Sequence, residues 1–462
     1  MRGLTAVTKE MLADLDTPVS AYLKLCAGEA DSFLFESGEG RDSLGRYSIV
    51  AWDPLLWLEL RADEVRLWQE GQASSHPPER FFALARRYST APPCPGLPPL
   101  PFAGSLVGFV GYEAVRLLER LPRPLPGPGP LARLCLCSRL VVFDHLLRRL
   151  TLVVLDRSQE QARAKLAQME KRLQSPLDFR PRPGRVRMSP PPRQRYLEMV
   201  ERAQEYIREG EIFQVVLAER FQGRGRVDPL FAYRWLRASN PSPYMFFLDL
   251  GEIKLAGASP ETMVKVSQGT VHLRPIAGTR GRSSDPAEDR RLAWELMASE
   301  KERAEHVMLV DLARNDAGRV CDFGSIKVDP LMVVERFSHV MHLVSRVQGR
   351  LRPGLDAWDA FMAAFPAGTV SGAPKVRAME IIDELEPGPR GAYAGAVGRF
   401  GPGPEMDTCI AIRMIQFQDQ QVVVQVGAGI VADSEPEMEY QEITQKAAQG
   451  LAALEAAGEE RP

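Results

Sequence analysis

Cysteine and histidine are scarce in this sequence, and their scarcity excludes several classes of protein. The 462 residues include only 6 Cys and 6 His. No cysteine has the spacing of a zinc site or of a disulfide framework, and Cys135 and Cys137 are expected to pack along a strand. We therefore exclude a zinc-stabilised or disulfide-stabilised domain and predict a reduced, cytoplasmic protein.

An excess of charge of one sign is also lacking, as are long hydrophobic runs. The 58 Lys and Arg residues nearly balance the 60 Asp and Glu residues, which leaves a formal net charge of −2. Bulk charge therefore gives no reason to expect a nucleic-acid partner or a charged membrane surface. The first residues lack the apolar run of a signal peptide, and no stretch of about twenty apolar residues predicts a membrane span.

Proline, in contrast, is abundant, and it marks the divisions of the chain. The segments 91–101 and 121–131 are proline-rich and are predicted to be irregular. Residues 179–193 contain five Pro and five Arg, so we predict a linker there rather than a helix or the interior of a strand. This linker separates an N-terminal region, 1–178, from a region 190–457, and we expect the two to interleave in one large fold.

The order of strand and helix patterns favours an α+β fold with antiparallel sheets, because several strand patterns follow one another before each helix. The predicted helices span 81–87, 159–173, 196–209, 300–316, 357–364 and 436–456.

Two pairs of glutamates stand out on the predicted helices. Glu302 and Glu305 are three residues apart and share one face of a helix, as do Glu439 and Glu442. A single such pair is usually a solvated acidic face. Two pairs with few other ligand types nearby favour a divalent cation site, and four carboxylates suit Mg²⁺.

Three further segments contain residues suited to binding or catalysis, and each has a simpler structural explanation. His339 and His342 have helical spacing, in a pattern that also fits a strand. Each histidine is suited either to an acid–base role or to a hydrogen-bonded position in the core. Thr369 lies in a Gly-rich segment that suits an anion or merely starts a helix. Arg413 lies inside an apolar run, where it needs a carboxylate ligand or a place on the solvent face.

The glycines of VGAGIVADS, Gly427 and Gly429, follow a strongly β-like run. Without side chains they let backbone N–H groups approach a ligand carboxylate closely. A β-bulge explains the same pattern equally well.

Read together, these segments resemble a known family over nearly the whole chain. The motifs run in the order FLFES, GRYSI, PIAGTRGR, EKERAEHVMLVDLARND, FSHVMH, AGTVSGAPK, IAIR, GAGIVADS and EYQEITQKA. This set resembles the chorismate-utilising enzymes, and within them the large subunits (component I) of anthranilate synthases. The resemblance implies an α+β fold with a two-sheet β-sandwich core surrounded by helices, and a Mg²⁺-dependent reaction on chorismate.

The resemblance also implies roles for individual residues. Mg²⁺ would be surrounded by four glutamates, with the first two as the expected direct ligands: Glu305, Glu442, Glu302 and Glu439. Chorismate would be bound by Gly278, Thr279, Tyr393, Arg413, Gly427, Ala428, Gly429 and Lys446. The catalytic residues would be His342, as the acid for the departing C4 hydroxyl, with Thr369 and Glu261 close to the reacting centre.

Two positions separate branches of this family. Ala277 stands where aminodeoxychorismate synthases often have a nucleophilic lysine, so attack on the ring by free ammonia is favoured. Gln214 stands where isochorismate- and salicylate-forming relatives have a lysine that activates water, and glutamine is a poor base. The expected reaction therefore gives anthranilate and pyruvate through 2-amino-2-deoxyisochorismate. The alternatives are an aminodeoxychorismate synthase and a catalytically inactive tryptophan sensor.

Partners and regulation follow from the same resemblance. None of the six cysteines lies in a GxCxG-like elbow, so ammonia should come from a separate glutamine amidotransferase subunit (component II), in an assembly of two large and two small subunits. The family's inhibitory tryptophan site matches Glu36, Ser37, Pro243, Tyr244 and Met245. Phe35 departs from the leucine usual in the family at that position.

Overall fold

The computed structural model describes residues 3–38, 45–89, 94–177, 179, 184–337, 340–401 and 405–459. Helices and strands are numbered here in chain order. The helices are α1 Pro18–Leu25, α2 Phe81–Ser89, α3 Gln159–Leu173, α4 Arg193–Arg208, α5 Pro229–Ser239, α6 Pro286–Ala298, α7 Glu300–Gly318, α8 Ala357–Ala364, α9 Lys375–Leu385 and α10 Pro436–Gly458.

The strands of the first half are β1 Thr5–Leu12, β2 Ser32–Glu36, β3 Tyr47–Leu60, β4 Val65–Gln69, β5 Gln72–His76, β6 Leu106–Val110, β7 Ala132–Asp144, β8 Arg149–Asp156, β9 Val186–Ser189, β10 Gln214–Gly225, β11 Tyr244–Asp249 and β12 Ile253–Ser259. The remaining strands are β13 Thr262–Ser267, β14 Thr270–Leu273, β15 Ile276–Gly281, β16 Lys327–Val328, β17 Val333–Arg336, β18 Val340–Val344, β19 Val347–Arg350, β20 Gly372–Ala373, β21 Ala396–Phe400, β22 Met406–Ile410, β23 Met414–Gln418 and β24 Gln421–Ile430.

Antiparallel pairing joins these strands into one large hydrogen-bonded network and one small sheet. The small sheet has the order β15–β18–β17, and the network holds the other 21 strands. The pairings of β10 with β24, of β3 with β7 and of β15 with β18 are all antiparallel. The predicted α+β class is confirmed.

Two hydrophobic cores explain the layered architecture. In β2, Leu34 packs into the larger core, whereas Phe33 and Phe35 pack into the second. Successive side chains of a strand point to opposite faces, so both faces of this strand are covered. The second core takes its residues from strands and loops and none from a helix, as expected between two packed sheets. Helix α6 packs in a small third cluster with Met341 and Leu343 of β18, and the other helices cover the outer faces through the larger core.

Strands from the two ends of the chain pair with each other. In β2, Phe35 lies opposite Phe246 of β11, and in β6, Val107 lies opposite Arg399 of β21. The N-terminal and C-terminal regions therefore contribute adjacent strands to the same sheets.

The linker prediction for 179–193 is wrong in part. Residues 186–189 form β9, which pairs with β10 from Gln222 to Gly225. The strand ends before Pro190, because proline has no amide hydrogen to give to a sheet. Residues 180–183 lie outside the described residues. Among the helices that the structure describes, none is both long enough and apolar enough to cross a membrane.

Candidate active site

Helix α7 begins at Glu300, as the sequence predicts, and ends at Gly318, two residues later than predicted. The Ser299 side chain caps it by accepting a hydrogen bond from the backbone N–H of Glu302. The helix buries His306 and Leu309 on one face. Glu302 lies in the first turn, where the helix dipole favours a negative charge.

The carboxylates of the two glutamate pairs have separate partners. Arg280 binds Glu302 with an N–O distance of 3.1 Å, and the side-chain amide of Gln214 donates to Glu305 at 3.1 Å. Lys446 binds Glu442 at 2.5 Å. Burial raises the pKa of Glu305, and the nearby Glu302 and Glu442 carboxylates raise it further. The two helices thus bring their negative charges within electrostatic reach of each other.

A divalent cation fits the chemistry of these side chains, which are oxygen donors that disfavour one another's ionisation. Burial and the Glu442 carboxylate likewise raise the pKa of Glu439. Among the residues that the structure describes, however, no three His, Cys, Asp or Glu side chains converge closely enough to hold a metal. To bind the cation, Glu302 would have to release Arg280, and Glu442 would have to release Lys446.

A bulge in strand β15 places His342. Strands β15 and β18 pair Thr279 with His342, and the register shifts between Ala277 and Thr279. Gly278, at the shift, has a φ of +63°, in the left-handed region that favours glycine. Its carbonyl oxygen lies 2.8 Å from Nδ1 of His342, and the Thr279 hydroxyl lies 3.1 Å from the same nitrogen. The glycine therefore orients the imidazole. His342 lies in a strand, which decides between the two predicted patterns.

The surroundings of His342 favour a neutral ring when no substrate is bound. Burial lowers its pKa, the hydrogen bond to Gly278 opposes this, and the positive charges of Arg413, Arg274 and Lys446 lower it again. A ligand with carboxylates would offset these charges and raise the pKa of the ring. His339 lies outside the described residues.

Arg413 lies in a break between strands and not inside one, contrary to the sequence pattern. Strand β22 ends at Ile410 and β23 begins at Met414. Arg413 takes a left-handed φ of 51°, and its guanidinium donates to the backbone carbonyl of Lys446 at 3.1 Å. Burial lowers its pKa, and among the described residues no carboxylate forms an ion pair with it. A half-buried cation without a carboxylate partner is suited to an anionic ligand.

Strand β24 contains the backbone segment that is predicted to bind a ligand carboxylate, and it lies next to these groups. Gly427, Ala428 and Gly429 pair with Ala218, Leu217 and Val216 of β10. The space beside two of these residues is tight. A Cβ on Gly427 would lie 2.9 Å from the Tyr393 hydroxyl, and one on Gly429 would lie 2.7 Å from Nε2 of Gln214. The Lys446 ammonium donates to the carbonyl of Gly427 at 2.9 Å.

Glu261 and Thr369 line a separate cavity of about 40 Å³ together with Arg274 and Asp316. Burial raises the pKa of Glu261 to about 8, although Thr369 and Arg274 oppose the shift. Burial therefore favours the neutral carboxylic acid form of Glu261. Oγ1 of Thr369 is buried beside the Glu261 carboxyl.

Comparison with known proteins shows which family this chain belongs to. The model of the chorismate binding enzyme family matches residues 31–452. This chain belongs to the chorismate-binding enzyme family. It is 47% identical to anthranilate synthase component 1 of Thermus thermophilus, over 99% of this chain and 99% of the relative. It is 42% identical to the same component of Cereibacter sphaeroides, over 98% of this chain and 95% of the relative.

A solved structure supports the same assignment. The crystal structure of anthranilate synthase component I from Streptococcus pneumoniae TIGR4 matches with a TM-score of 0.77 and 36% sequence identity. The match covers 95% of this chain and 99% of that one. The predicted resemblance to chorismate-utilising enzymes, and the fold it implies, are confirmed.

The predicted regulatory residues of this chorismate-binding enzyme lie together at a second location, around strands β2 and β11. Glu36 of β2 lies opposite Met245 of β11, and the backbone N–H of Gly38 donates to Ser242 at 2.8 Å. Arg237 and the Tyr233 hydroxyl both donate to the Glu36 carboxylate. Oγ of Ser37 is buried without a hydrogen-bond partner in the described ranges.

A direct contact connects these residues to strand β13, which follows Glu261. The Tyr244 hydroxyl lies 3.0 Å from the hydroxyl of Thr262, the residue after Glu261, and it donates to Asp407 at 2.9 Å. A change in the position of Tyr244 can therefore reach the strand that follows Glu261.

Sequence reasoning missed several residues around the site. Arg280 lies in the PIAGTRGR motif but was given no role, and it is the partner of Glu302. Phe337 packs edge-on against the His342 ring at 5.6 Å between centroids. Arg390 lies behind Tyr393, with 5.9 Å between its Cζ and the ring centroid. Arg280 and Phe337 each had a sequence signal, because both lie within recognised motifs, whereas Arg390 had none.

Proposed function

We propose that this chain is the large subunit of an anthranilate synthase, a Mg²⁺-dependent lyase that converts chorismate and ammonia to anthranilate and pyruvate. The observation that carries the proposal is the placement of His342, held by Gly278 within the field of Arg413 and Lys446. A dianion with a hydroxyl leaving group needs cations to bind it and an acid to assist its reaction.

Chorismate has two carboxylates, and the site offers two places for them. The enolpyruvyl carboxylate binds Arg413, which lacks a carboxylate partner among the described residues, and the buried Tyr393. The ring carboxylate binds Lys446 and the backbone from Gly427 to Gly429. Glu305, Glu442, Glu302 and Glu439 would hold Mg²⁺, which would supply positive charge for the ring carboxylate and for loss of the hydroxyl.

The chemistry needs a proton donor and a nucleophile. His342 in its cationic form protonates the C4 hydroxyl as that group leaves, while ammonia forms a bond to C2 and gives up a proton. Loss of pyruvate from 2-amino-2-deoxyisochorismate then makes the ring aromatic. We assign the Glu261 carboxyl and the Thr369 hydroxyl to hydrogen bonds that stabilise this centre. They line a cavity with Arg274, whose positive charge also acts on His342.

The nucleophile is ammonia, because no side chain at the site can attack the ring itself or deprotonate water to do so. Ala277 is buried in β15 and presents only a methyl group. Gln214 is held by Glu305, and an amide does not deprotonate water.

Ammonia reaches this chain from a glutamine amidotransferase partner, the second component of the enzyme, in an assembly of two large and two small subunits. All six cysteines are buried and free. Burial raises the pKa of each of these thiols, so none supplies the thiolate that glutamine hydrolysis needs. Free cysteines also fit a reducing cytoplasm.

Tryptophan, the end product of the pathway that anthranilate enters, inhibits the enzyme at the second location, with Glu36, Ser37, Pro243, Tyr244 and Met245. This site is distinct from the catalytic one, so the inhibition is allosteric: tryptophan favours a state with lower affinity for chorismate.

Product identification tests the proposal. The purified chain is incubated with chorismate, MgCl₂ and an ammonium salt, and the products are separated by chromatography. The proposal predicts the ortho-substituted aminobenzoate, with pyruvate. An aminochorismate substituted in the para position, formed without pyruvate, would refute it, as would recovery of unchanged chorismate from folded protein.

A further inference from the structure

Arg390 occupies a buried position behind the substrate site and belongs to none of the groups assigned above. Its side chain is 1% exposed. We propose that Arg390 is a positioning residue for chorismate recognition, which acts by fixing the phenol of Tyr393 and the two backbone segments beside it. The inference rests on the proposed chorismate site and deepens it.

The guanidinium of Arg390 joins segments that are distant in sequence. It donates to the carbonyl of Val370 at 2.6 Å and to the carbonyl of Val216 at 2.7 Å. Val370 follows Thr369, and Val216 lies two residues after Gln214. One planar group therefore sets the distance between the turn that carries Thr369 and the strand that carries Gln214.

An ion pair holds the guanidinium itself in place. Glu386, 3% exposed, accepts from Arg390 at 2.5 Å and also accepts from the backbone N–H of Ala218 at 2.8 Å. The carboxylate thus ties Arg390 to β10 a second time. Buried pairs with satisfied hydrogen bonds fix geometry more than they add stability.

Two aromatic rings lie against the guanidinium. Its Cζ lies 4.7 Å from the centroid of Tyr112 and 5.9 Å from that of Tyr393. Burial raises the pKa of Tyr393 to about 12, and Arg390 opposes the shift. A cation behind the ring makes the phenol a stronger hydrogen-bond donor to a carboxylate.

The N-terminal region holds the backbone at the same point. The buried Glu113 carboxylate accepts from the backbone N–H groups of Arg390, at 2.6 Å, and of Gly391, at 2.9 Å. In return, the backbone N–H of Tyr112 donates to the carbonyl of Gly391 at 2.9 Å. The loop that leads to Tyr393 is therefore held from both sides.

The test is a double-mutant cycle between Arg390→Lys and Tyr393→Phe. Lysine keeps the charge but loses the planar set of donors, so Arg390→Lys should raise the KM for chorismate roughly tenfold and change kcat by less than about threefold. In the Tyr393→Phe background the same substitution should change KM less than about twofold, because the phenol through which it acts is gone.

Arg133→Lys is the matched control, because Arg133 is also an arginine held by acidic side chains and an aromatic ring, with its side chain 11% exposed. Asp31 lies at 2.7 Å, Glu59 at 2.6 Å and the Trp57 ring at 4.1 Å. It should lose thermal stability and leave KM unchanged. If Arg390→Lys does not fold, Glu113→Gln changes the same backbone anchor and should show the same rise in KM and the same dependence on Tyr393.

The outcomes separate the two proposals. A wild-type chain that forms no anthranilate would refute the proposed function. Normal wild-type turnover combined with multiplicative effects of Arg390→Lys and Tyr393→Phe on KM, or with a KM unchanged in both Arg390→Lys and Glu113→Gln, would overturn the role of Arg390 alone.

Discussion

Nδ1 of His342 lies 2.8 Å from the carbonyl oxygen of Gly278. A carbonyl oxygen accepts hydrogen bonds and does not donate them, so Nδ1 carries a hydrogen. The second ring nitrogen, Nε2, is then the one that gains or gives up a proton. A bulge that only glycine forms without strain thus selects the tautomer of the predicted acid.

The first prediction concerns the pH dependence of the reaction. The active form of His342 is protonated, so kcat/KM should fall as pH rises through the pKa of the free enzyme, which lies below the ordinary 6.5. Bound chorismate offsets Arg413 and Lys446, so kcat should fall at a higher pH than kcat/KM. Steady-state rates measured from pH 5 to 9 give the pH at which kcat and kcat/KM each fall.

A substitution of His342 provides the control for this prediction. His342→Gln should lower kcat by about 10² to 10⁴ and remove the alkaline limb. An alkaline limb that persists in the variant would show that another group titrates.

The second prediction concerns Mg²⁺ and is measured without turnover. Glu305 carries a pKa raised by burial and by two neighbouring carboxylates. Glu305→Gln should therefore raise the Tm of the metal-free chain and abolish the rise in Tm that MgCl₂ causes in the wild type. Glu300→Gln, an exposed position at the start of the same helix, should respond to MgCl₂ like the wild type. Equal responses of all three chains would remove the metal role.

The third prediction concerns the buried carboxyl of Glu261. Its pKa is about 8 in the folded state against an ordinary 4.5, so the folded chain binds more protons than the unfolded chain between these values. The free energy of unfolding should fall as pH rises across that window, by roughly 4–5 kcal/mol from this group. Glu261→Gln should lose this part of the pH dependence in urea denaturation. Parallel profiles for both chains would contradict the shifted pKa.

The fourth prediction concerns inhibition by tryptophan. Ser37→Ala removes a buried hydroxyl that lacks a partner among the described residues, and it should weaken inhibition about tenfold with little change in uninhibited kcat. The exposed Ser175 provides the control, since Ser175→Ala should leave inhibition unchanged. Unaltered inhibition in Ser37→Ala would refute the regulatory site.

The fifth prediction separates tryptophan binding from its effect. Tyr244→Phe removes the hydroxyl that contacts Thr262 and Asp407. Calorimetry should show that tryptophan still binds, whereas its effect on the KM for chorismate should decrease. Full inhibition in this variant would show that the coupling runs elsewhere.

The parts of this fold that were predictable from sequence are those that depend on local patterns. Helix α7 follows from apolar periodicity, and its bounds agree with the prediction to within two residues. The left-handed backbone of Arg413 was not predictable, because the run around it reads as one continuous strand. Tertiary contacts there override a local propensity.

The sequence predicts a set of candidate site residues but not the network of contacts between them. The motifs predict roles for Glu305, His342 and Arg413, because each residue type suits its proposed chemistry. They do not identify Arg390, whose partners Val216 and Glu113 lie 174 and 277 residues away in sequence. Pairings over such distances arise from the sheet topology, which local patterns do not encode.

The most direct test of the account follows ¹⁵N-labelled ammonium through the reaction. The purified chain receives chorismate, MgCl₂ and ¹⁵N-ammonium chloride, and NMR quantifies the label in the product while a coupled assay counts pyruvate. The account predicts one ¹⁵N in the amino group of anthranilate for each pyruvate released, with tryptophan suppressing both equally. Pyruvate released without labelled anthranilate, or label in a para-substituted product without pyruvate, would contradict it.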